Sequence, residues 1–370
     1  MDPKAVFCPN LACPARGQVG RGTIVIHSQQ EQRYKWNQCG RTFAATSGTA
    51  FDRLRTAVDL VVLGVTLLAH GCPVQAIVAA FGVDERPVVA WQARAGAQGE
   101  RVHQHLVVQP RDLGQVQADE LCVNQQGQRV WMALAIQVPT RRWLGGAISA
   151  TRDGRLIAQL VATIRACALG RPLLIAVDGL SSYVTAIQAA FREPIPTGRR
   201  GRPRLRPWND IGIGQVIKHR AGRRVVSVTR RIVQGRATLV ARLIHQTQGH
   251  GGLNTAYIER RNAPFRARVA ALGRRTRALA RRTATLEAGM YLIGTVYNFC
   301  TAHDSLRLDG IIGGHKWLPR TPAMAAGLTD HCWSVQELLA YRVPPPRWTP
   351  PTRRGRPSKE LQRLIAQWCS

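Results

Sequence analysis

Three strand-length apolar runs, a helix-length stretch and a fourth apolar run follow one another between residues 116 and 177, and this order constrains the fold more than any other feature. Residues 116–123, 131–138 and 143–150 read as strands and 155–169 as a helix. Leu173-Leu174-Ile175-Ala176-Val177 reads as a further strand without a polar residue. Three strands, a helix and another strand predict a mixed α/β sheet. Upstream, residues 54–96 are helical in pattern, with Leu54, Val58, Val61, Val62, Val65 and Leu68 at helix spacing. Pro73 opens a second helix over 74–81, Gly82 ends it, and Asp84 is placed to cap a third. Residues 1–46 contain Cys, Gly and short β-like runs such as Thr23-Ile24-Val25-Ile26. Downstream, 180–191 reads as helix, the basic Pro/Gly-rich 194–208 as loop and 224–233 as strand. Residues 254–282 and 286–299 read as helices, followed by a mixed tail with a Pro-rich stretch at 343–351 and a short last helix. No repeat with a fixed period is present, which excludes a solenoid.

Charge identifies the partner class. The 370 residues carry 52 Lys+Arg against 21 Asp+Glu, a formal charge of +31. A compact chain with that excess repels itself unless a polyanion neutralises it. Arg far outnumbers Lys, and its planar fork suits phosphate oxygens. Codon bias in a GC-rich genome would explain the Arg preference but not the scarcity of acids. Double-stranded DNA is the expected partner. The 45% hydrophobic content supports packed cores and excludes wholesale disorder. The first ten residues lack the apolar region of a signal peptide, and nine Cys, odd in number and mostly isolated, point to a reducing, cytoplasmic setting. Residues 60–83 have no charge and are long enough to span a bilayer, but His70-Gly71-Cys72-Pro73 interrupts them. Two short buried helices joined by a turn, and no membrane span, are expected there.

In a chain so poor in acids, three carboxylates sit where phosphoryl-transfer chemistry needs them. Asp119 lies inside the first strand of the sheet, Asp178 ends the apolar strand, and Glu259 stands near a helix start. Carboxylates brought together repel one another unless hard divalent cations lie between them. Two such ions, about 3.5–4 Å apart, activate an attacking oxygen and stabilise a leaving one. Each residue also has an ordinary reading. Asp178, followed by Gly179, can cap the next helix; Glu259 can pair with the surrounding arginines. Asp119 and Glu120 point to opposite faces, and strand period alone does not say which faces a site. Arg266, seven residues after Glu259, falls about two helical turns, roughly 10 Å, along the same face. It is placed either to hold a DNA backbone or to be one more solvated Arg.

From Asp119 to Arg307 the chain resembles the catalytic domain of DDE transposases of the insertion-sequence-one type. The resemblance rests on Asp119, on Asp178-Gly179 with Tyr183, and on Ile258-Glu259-Arg260-Arg261-Asn262, the most specific of the three. Phe265-Arg266-Ala267-Arg268 and Leu272-Gly273-Arg274-Arg275-Thr276 are similar to that family's basic helix, and the likeness extends over roughly the whole chain. One departure is the long basic stretch, residues 194–252, between Asp178 and Glu259. The resemblance implies a ribonuclease-H-like catalytic domain in which Asp119, Asp178 and Glu259 bind Mg²⁺ (or Mn²⁺).

It also implies a zinc ribbon with two Cys at each end. Here Cys8, Cys13 and Cys39 are present, and Trp36 stands where the fourth Cys is expected. Structural zinc takes four ligands; His27 is an alternative fourth, and a metal-free ribbon is the competing reading. The three helices resemble a helix-turn-helix, in which Arg86 and Gln92 are able to read bases and Arg94 to reach phosphate. Trp91 is assigned to the core, and a plain helical bundle is the alternative. Arg200-Gly201-Arg202-Pro203 and Arg354-Gly355-Arg356-Pro357 resemble AT-hooks, or else are flexible basic linkers.

The expected organisation is a zinc-ribbon-like segment (1–46), a helix-turn-helix (50–106), a ribonuclease-H-like catalytic domain (113–308) and a basic tail (309–370). The expected function is bacterial DNA transposition: metal-dependent cleavage and strand transfer at terminal inverted repeats, by a homo-oligomer on DNA, into target DNA. The alternatives are a non-catalytic DNA-binding regulator or decayed transposase, and a structure-selective nuclease.

Overall fold

The computed structural model describes the chain except residues 1, 21–23, 171, 196–197, 199–200, 223, 274–278, 313–314, 352–354 and 370. It divides into two compact units, residues 1–59 with 339–370, and residues 60–338. The expected tail 309–370 is therefore not one segment: its first thirty residues belong to the larger unit and the rest to the smaller.

The smaller unit contains an antiparallel sheet of β1 (Ile24–Ser28), β2 (Arg33–Trp36) and β3 (Thr42–Ala44). Tyr34, Trp36 and Phe43 bury one side of it with Cys8 and Cys13, and Trp368 of a C-terminal helix, Lys359–Trp368, joins that core. Ser358 caps this helix, its hydroxyl accepting from the Leu361 N–H at 3.2 Å. Arg16 ties the two chain ends together by donating from Nε to the Pro346 carbonyl at 2.8 Å.

The larger unit opens with α1 (Val58–Ala69), α2 (Val74–Phe81) and α3 (Glu85–Val102). The uncharged stretch 60–83 does break at 70–73, and no helix among the described residues is long and apolar enough to cross a membrane. The two helices are less buried than expected: Leu63 is 54% exposed, and α2 buries only Ile77. Leu54 lies before α1, outside the helix. Gly82 ends α2 in the left-handed conformation at φ 63°, whereas Asp84 occupies the N-cap of α3 without making a side-chain cap bond.

A six-stranded sheet follows, formed by β4 (Gln115–Gln125), β5 (Gln128–Gln137), β6 (Trp143–Ser149), β7 (Leu173–Val177) and two later strands. Between β6 and β7 runs α4 (Gly154–Cys167), and after β7 come α5 (Ser181–Ala190) and a small hairpin of β8 (Arg192–Pro194) and β9 (Leu205–Pro207). Next are β10 (Ile211–Ala221), β11 (Arg224–Gln234), α6 (Ala237–Gln248), α7 (Ala256–Arg268) and α8 (Thr283–Thr295). The strand order is β11-β10-β7-β4-β5-β6, with β4, β7 and β10 parallel and the others antiparallel to their neighbours.

Helices cover both faces, which explains why β7 is apolar throughout. Val116, Ala118, Ala133 and Ala135 pack under α4 and α5. On the other face Leu121, Val123, Met132 and Leu134 meet Ile258 and Phe265 of α7 and Met290 and Ile293 of α8. Two glycines let α3 and α8 approach closely. A Cβ on Gly96 would lie 2.4 Å from the Ala288 Cα, and one on Gly99 2.8 Å from the Thr295 hydroxyl. The carboxy-terminal half of α3 is thereby committed to packing, and Trp91 is buried as expected.

Candidate functional site

β4 is central, and its parallel pairing with β7 matches Gln117 with Ala176. Continuing that register by two residues sets Asp178, just past the end of β7, beside Asp119. Helix α7 then crosses the same sheet face as Asp119 and brings Glu259 in its first turn. These three carboxylates, with Lys218, Arg220 and Arg266, line one cleft of about 640 Å³. The basic stretch 194–252 is structured beyond the expected strand at 224–233, which is β11. It contains two strands of the main sheet and α6, and the chain that leaves it returns Glu259 to the cleft.

Alternation decides the roles of the adjacent acids. Asp119 shares its strand face with Gln117 and Leu121, toward α7, and Asn262 Nδ2 donates to its Oδ2 at 2.8 Å. Glu120 points to the opposite face and is buried; Arg152 Nη2 donates to it at 2.7 Å and to Asp178 Oδ2 at 3.1 Å. Carboxylate oxygens of Asp119, Glu120 and Asp178 come within 4.8 Å of one another, a grouping able to hold a metal ion. Glu120, although on the opposite strand face, is thus a member of the metal-competent group, which does not include Glu259. Lys218 Nζ and the Thr255 hydroxyl both donate to Glu259 Oε1.

Burial, then the charges of Glu120, Asp178 and Glu259, push the Asp119 carboxyl from 3.8 up to about 7, against a backbone hydrogen bond that favours ionisation. Burial also acts on Glu259, but Lys218, Thr255 and Arg220 outweigh it and hold this carboxyl below its ordinary value. A half-buried carboxyl that resists ionisation among three others is a set of hard oxygen donors lacking positive charge, the environment a divalent cation satisfies. Tyr183 is buried beneath the acids. Burial and then the Glu120 charge raise its pKa, and neither its hydroxyl nor Glu120 Oε1 has a well-formed hydrogen bond.

The ordinary readings are partly realised. Asp178 Oδ1 accepts from the Leu180 N–H at 2.9 Å, a turn that leads into α5, while its other oxygen remains on the cleft side with Arg152. Glu259 does take a cationic partner, but it is Lys218 rather than a neighbouring Arg.

The sequence pattern does not single out Gln117, yet this residue places Glu259. Its fully buried Oε1 accepts from the Tyr257 and Ile258 N–H groups, both at 3.0 Å, and its Nε2 donates to the Asn254 carbonyl at 2.7 Å. It therefore caps the first turn of α7 from the strand that carries Asp119. Its place two residues before Asp119, on the same face of the strand, is the signal that could have found it. Gln117→Met is expected to destabilise the fold by about 1–3 kcal/mol, since it orphans buried backbone groups. Thermal denaturation checks this, and an unchanged melting temperature would mean that α7 is held by other contacts.

Of the other basic candidates, Arg266 lines the cleft, on the same side of α7 as Glu259. Arg268 is half-buried, and burial lowers its pKa. Helix α7 ends there, short of the expected 282. Arg86 and Arg94 are exposed on α3, with Asp84 and Glu85 beside Arg86 on one shallow surface. Gln92 is half-buried, its Nε2 4.0 Å from where a Gly289 Cβ would lie on α8, so it faces packing more than solvent. Arg202 and Arg356 are exposed, whereas Arg200, Arg354 and the run 274–276 lie outside the described residues.

In the smaller unit Cys8, Cys13 and Cys39 offer sulfur atoms within 4.8 Å of one another, with Cys8 and Cys39 at 3.9 Å. His27 is exposed on β1 and is not part of this group. Trp36 is fully buried in the same core. With three thiols, zinc content is expected below one per chain by elemental analysis. Trp36→Cys should raise it by completing a tetrahedral set, while the metal-free variant melts lower, because removing a buried Trp costs about 3–5 kcal/mol. Stoichiometric zinc in the unsubstituted chain that survives His27→Ala would show a different ligand set.

No protein-family model matches this chain, and no curated protein is significantly similar to it.

Proposed function

We propose that this chain is a DDE-type DNA transposase whose catalytic domain is ribonuclease-H-like. The observation that carries the reading is the convergence of Asp119, Asp178 and Glu259, far apart in sequence, in one cleft rimmed by Lys218, Arg220 and Arg266. The sheet order supports it: a central strand bears the first Asp, its parallel neighbour ends on the second, and a helix crossing that face carries the Glu. The +31 charge supports a polyanionic substrate.

Asp119, Asp178 and Glu259, with Glu120 behind them, are the residues that would hold Mg²⁺ or Mn²⁺. Bound divalent ions would supply an activated attacking oxygen and neutralise charge on the leaving one. The chain's own residues do the rest. Gln117 and Asn262 fix Glu259 and Asp119, Arg152 braces Asp178, and Arg266 and Arg220 hold phosphates against the cleft. Cleavage frees a 3′-OH at an element end, and the same site joins that hydroxyl to target DNA, both as in-line phosphoryl transfers. The smaller unit is proposed as a ribbon, zinc-bound or metal-free, and α1–α3 as a helix-turn-helix; both would hold terminal inverted repeats, in a homo-oligomer assembled on DNA.

Affinity for duplex DNA is expected to fall about 10³–10⁵-fold between about 50 and 200 mM salt if roughly 6–10 phosphates are neutralised. Titrations across that range test the partner, and a flat response would remove it. Strand transfer with pre-cleaved ends then tests the chemistry. Cutting without joining would identify a nuclease. Binding without either would favour a regulator or decayed transposase, a reading for which the Lys218–Glu259 and Arg152–Asp178 ion pairs speak.

A further inference from the structure

Strand β10 pairs with β7 over Ile211–Gln215, but it continues to Ala221 with β11 as its sole partner among the described residues. Six residues therefore run beyond the strand end that carries Asp178, a projection of about 20 Å at roughly 3.3 Å per residue. The outer part of this two-stranded ribbon is exposed, from Lys218 to Ala221 on one strand and from Arg224 to Ser227 on the other. It carries Lys218, His219, Arg220 and Arg224, and no Asp or Glu occurs between Asp210 and Glu259. Lys218 and Arg220 alternate onto the face that lines the acidic cleft, while His219 turns to the other face and bonds the Thr229 hydroxyl at 2.9 Å. Near the turn at Gly222 the apolar side chains of Val225 and Val226 are 45% and 63% exposed.

A bare apolar tip on a stem without negative charge is costly in water and repelled by basic surfaces. It fits a polyanion that also offers an apolar floor. The major groove of B-DNA, about 12 Å wide, admits a two-stranded ribbon and presents thymine methyl groups between two walls of phosphate. We propose that the β10–β11 ribbon enters the major groove of duplex DNA and sets which phosphate reaches the carboxylates. Arg220 and Arg224 would rest on the flanking phosphates and Val226 on the base edges. This rests on the transposase reading for its substrate.

The test uses the full chain and a duplex DNA of arbitrary sequence. Arg220→Gln with Arg224→Gln is expected to make the slope of log affinity against log salt shallower by about 1.8, at roughly 0.9 for each phosphate no longer neutralised. A charge-matched pair at the opposite end of the sheet, Arg236→Gln with Arg242→Gln, should leave the slope unchanged. Val226→Glu should weaken DNA binding without moving the melting temperature. Duplex RNA should be affected less by the Arg220/Arg224 pair, because the deep, narrow A-form major groove excludes a ribbon. A steep wild-type slope that the ribbon pair leaves intact, or that the control pair lowers equally, would overturn the ribbon while sparing the transposase reading. Equal losses on DNA and RNA would overturn the groove assignment. A flat slope in the unsubstituted chain would remove both readings together.

Discussion

Asp119→Asn, Asp178→Asn and Glu259→Gln are each expected to abolish Mg²⁺-dependent cleavage and strand transfer while leaving duplex binding intact or slightly tighter. Metal-assisted stabilisation of the transition state amounts to several kcal/mol. At about 1.4 kcal/mol per factor of ten, the loss should reach at least about 10³-fold for a ligand that cannot be replaced. Asp119 should be the most sensitive, because the nearest groups are already committed: Glu120 of the same strand to Arg152, and Asn262 of α7 as a donor to Asp119 itself. Binding should persist because the groups proposed to meet DNA, on β10, α7, the helix-turn-helix and the ribbon of the smaller unit, are unchanged, and one fewer carboxylate reduces repulsion of the DNA. Glu120→Gln is expected to be intermediate. It keeps Asp119 and Asp178 but weakens the Arg152 bridge that links Glu120 to Asp178. Lys218→Met separates two views of Glu259. If Lys218 merely occupies the place a cation would take, its removal leaves or raises metal-dependent activity. If activity vanishes, Lys218 belongs to the phosphate-holding set. Full strand transfer by Glu259→Gln would show the third ligand to be elsewhere, with Glu120 the first alternative.

The strands from 116 to 177 and the helix between them were legible because their side chains face helices on both sides, so apolar content alone marks them. The site aspartates were legible for the converse reason: ionisable residues at or in such strands need an explanation. Strand β10 was not legible. Gly212 and Gly214 interrupt its pattern, and its outer half, beyond β7, is basic and exposed, so residues 211–221 show no assignable pattern in the sequence, whereas 224–233 read as the strand that β11 is. The glycines are required by packing rather than by a turn: a Cβ on Gly214 would lie 2.6 Å from the Leu253 side chain. Helix α6 was hidden in the same way, although Leu239, Val240, Leu243 and Ile244 form its buried side. The position of Glu120 depended on which strand face each acid takes, and only the helices packed on the sheet decide that. Arg142 is fully buried with none of its guanidinium nitrogens hydrogen-bonded, and nothing in its local sequence distinguishes it from the solvated arginines around it.

In metal-free buffer, the contribution of Asp119 to stability is expected to fall as pH rises from about 4 to about 7, and Mg²⁺ should reverse that component. It is read as the difference between the wild type and Asp119→Asn, because buried His103, its pKa lowered by burial to about 3, acts in the opposite sense over that range. In the unfolded chain Asp119 loses its proton near its ordinary value of 3.8, whereas in the folded protein burial and the surrounding carboxylates hold the proton until about 7. Between those values Asp119 binds more proton in the folded state than in the unfolded, so its contribution to the unfolding free energy declines with pH and levels off above about 7. At about 1.36 kcal/mol per unit the full displacement sets an upper bound of roughly 4 kcal/mol. Glu259 acts in the opposite sense. Its folded pKa is depressed, with Lys218 opposing the effect of burial, so its contribution is present above its unfolded value and lost in acid. Its exposed position makes that contribution the smaller one. A divalent ion competes with the proton at Asp119, so added Mg²⁺ should raise the melting temperature more at pH 8 than at pH 5. At about 100 times its dissociation constant the gain approaches about 2.7 kcal/mol. Asp119→Asn should remove this declining component, so its stability relative to the wild type should rise between about pH 4 and 7. It should also melt above the wild type at pH 8 without metal and lose most of the Mg²⁺ response. Melting curves of both proteins across pH, with and without Mg²⁺, decide the matter. Superimposable profiles would mean that Asp119 is an ordinary solvated carboxylate and that the cleft is not built around a cation.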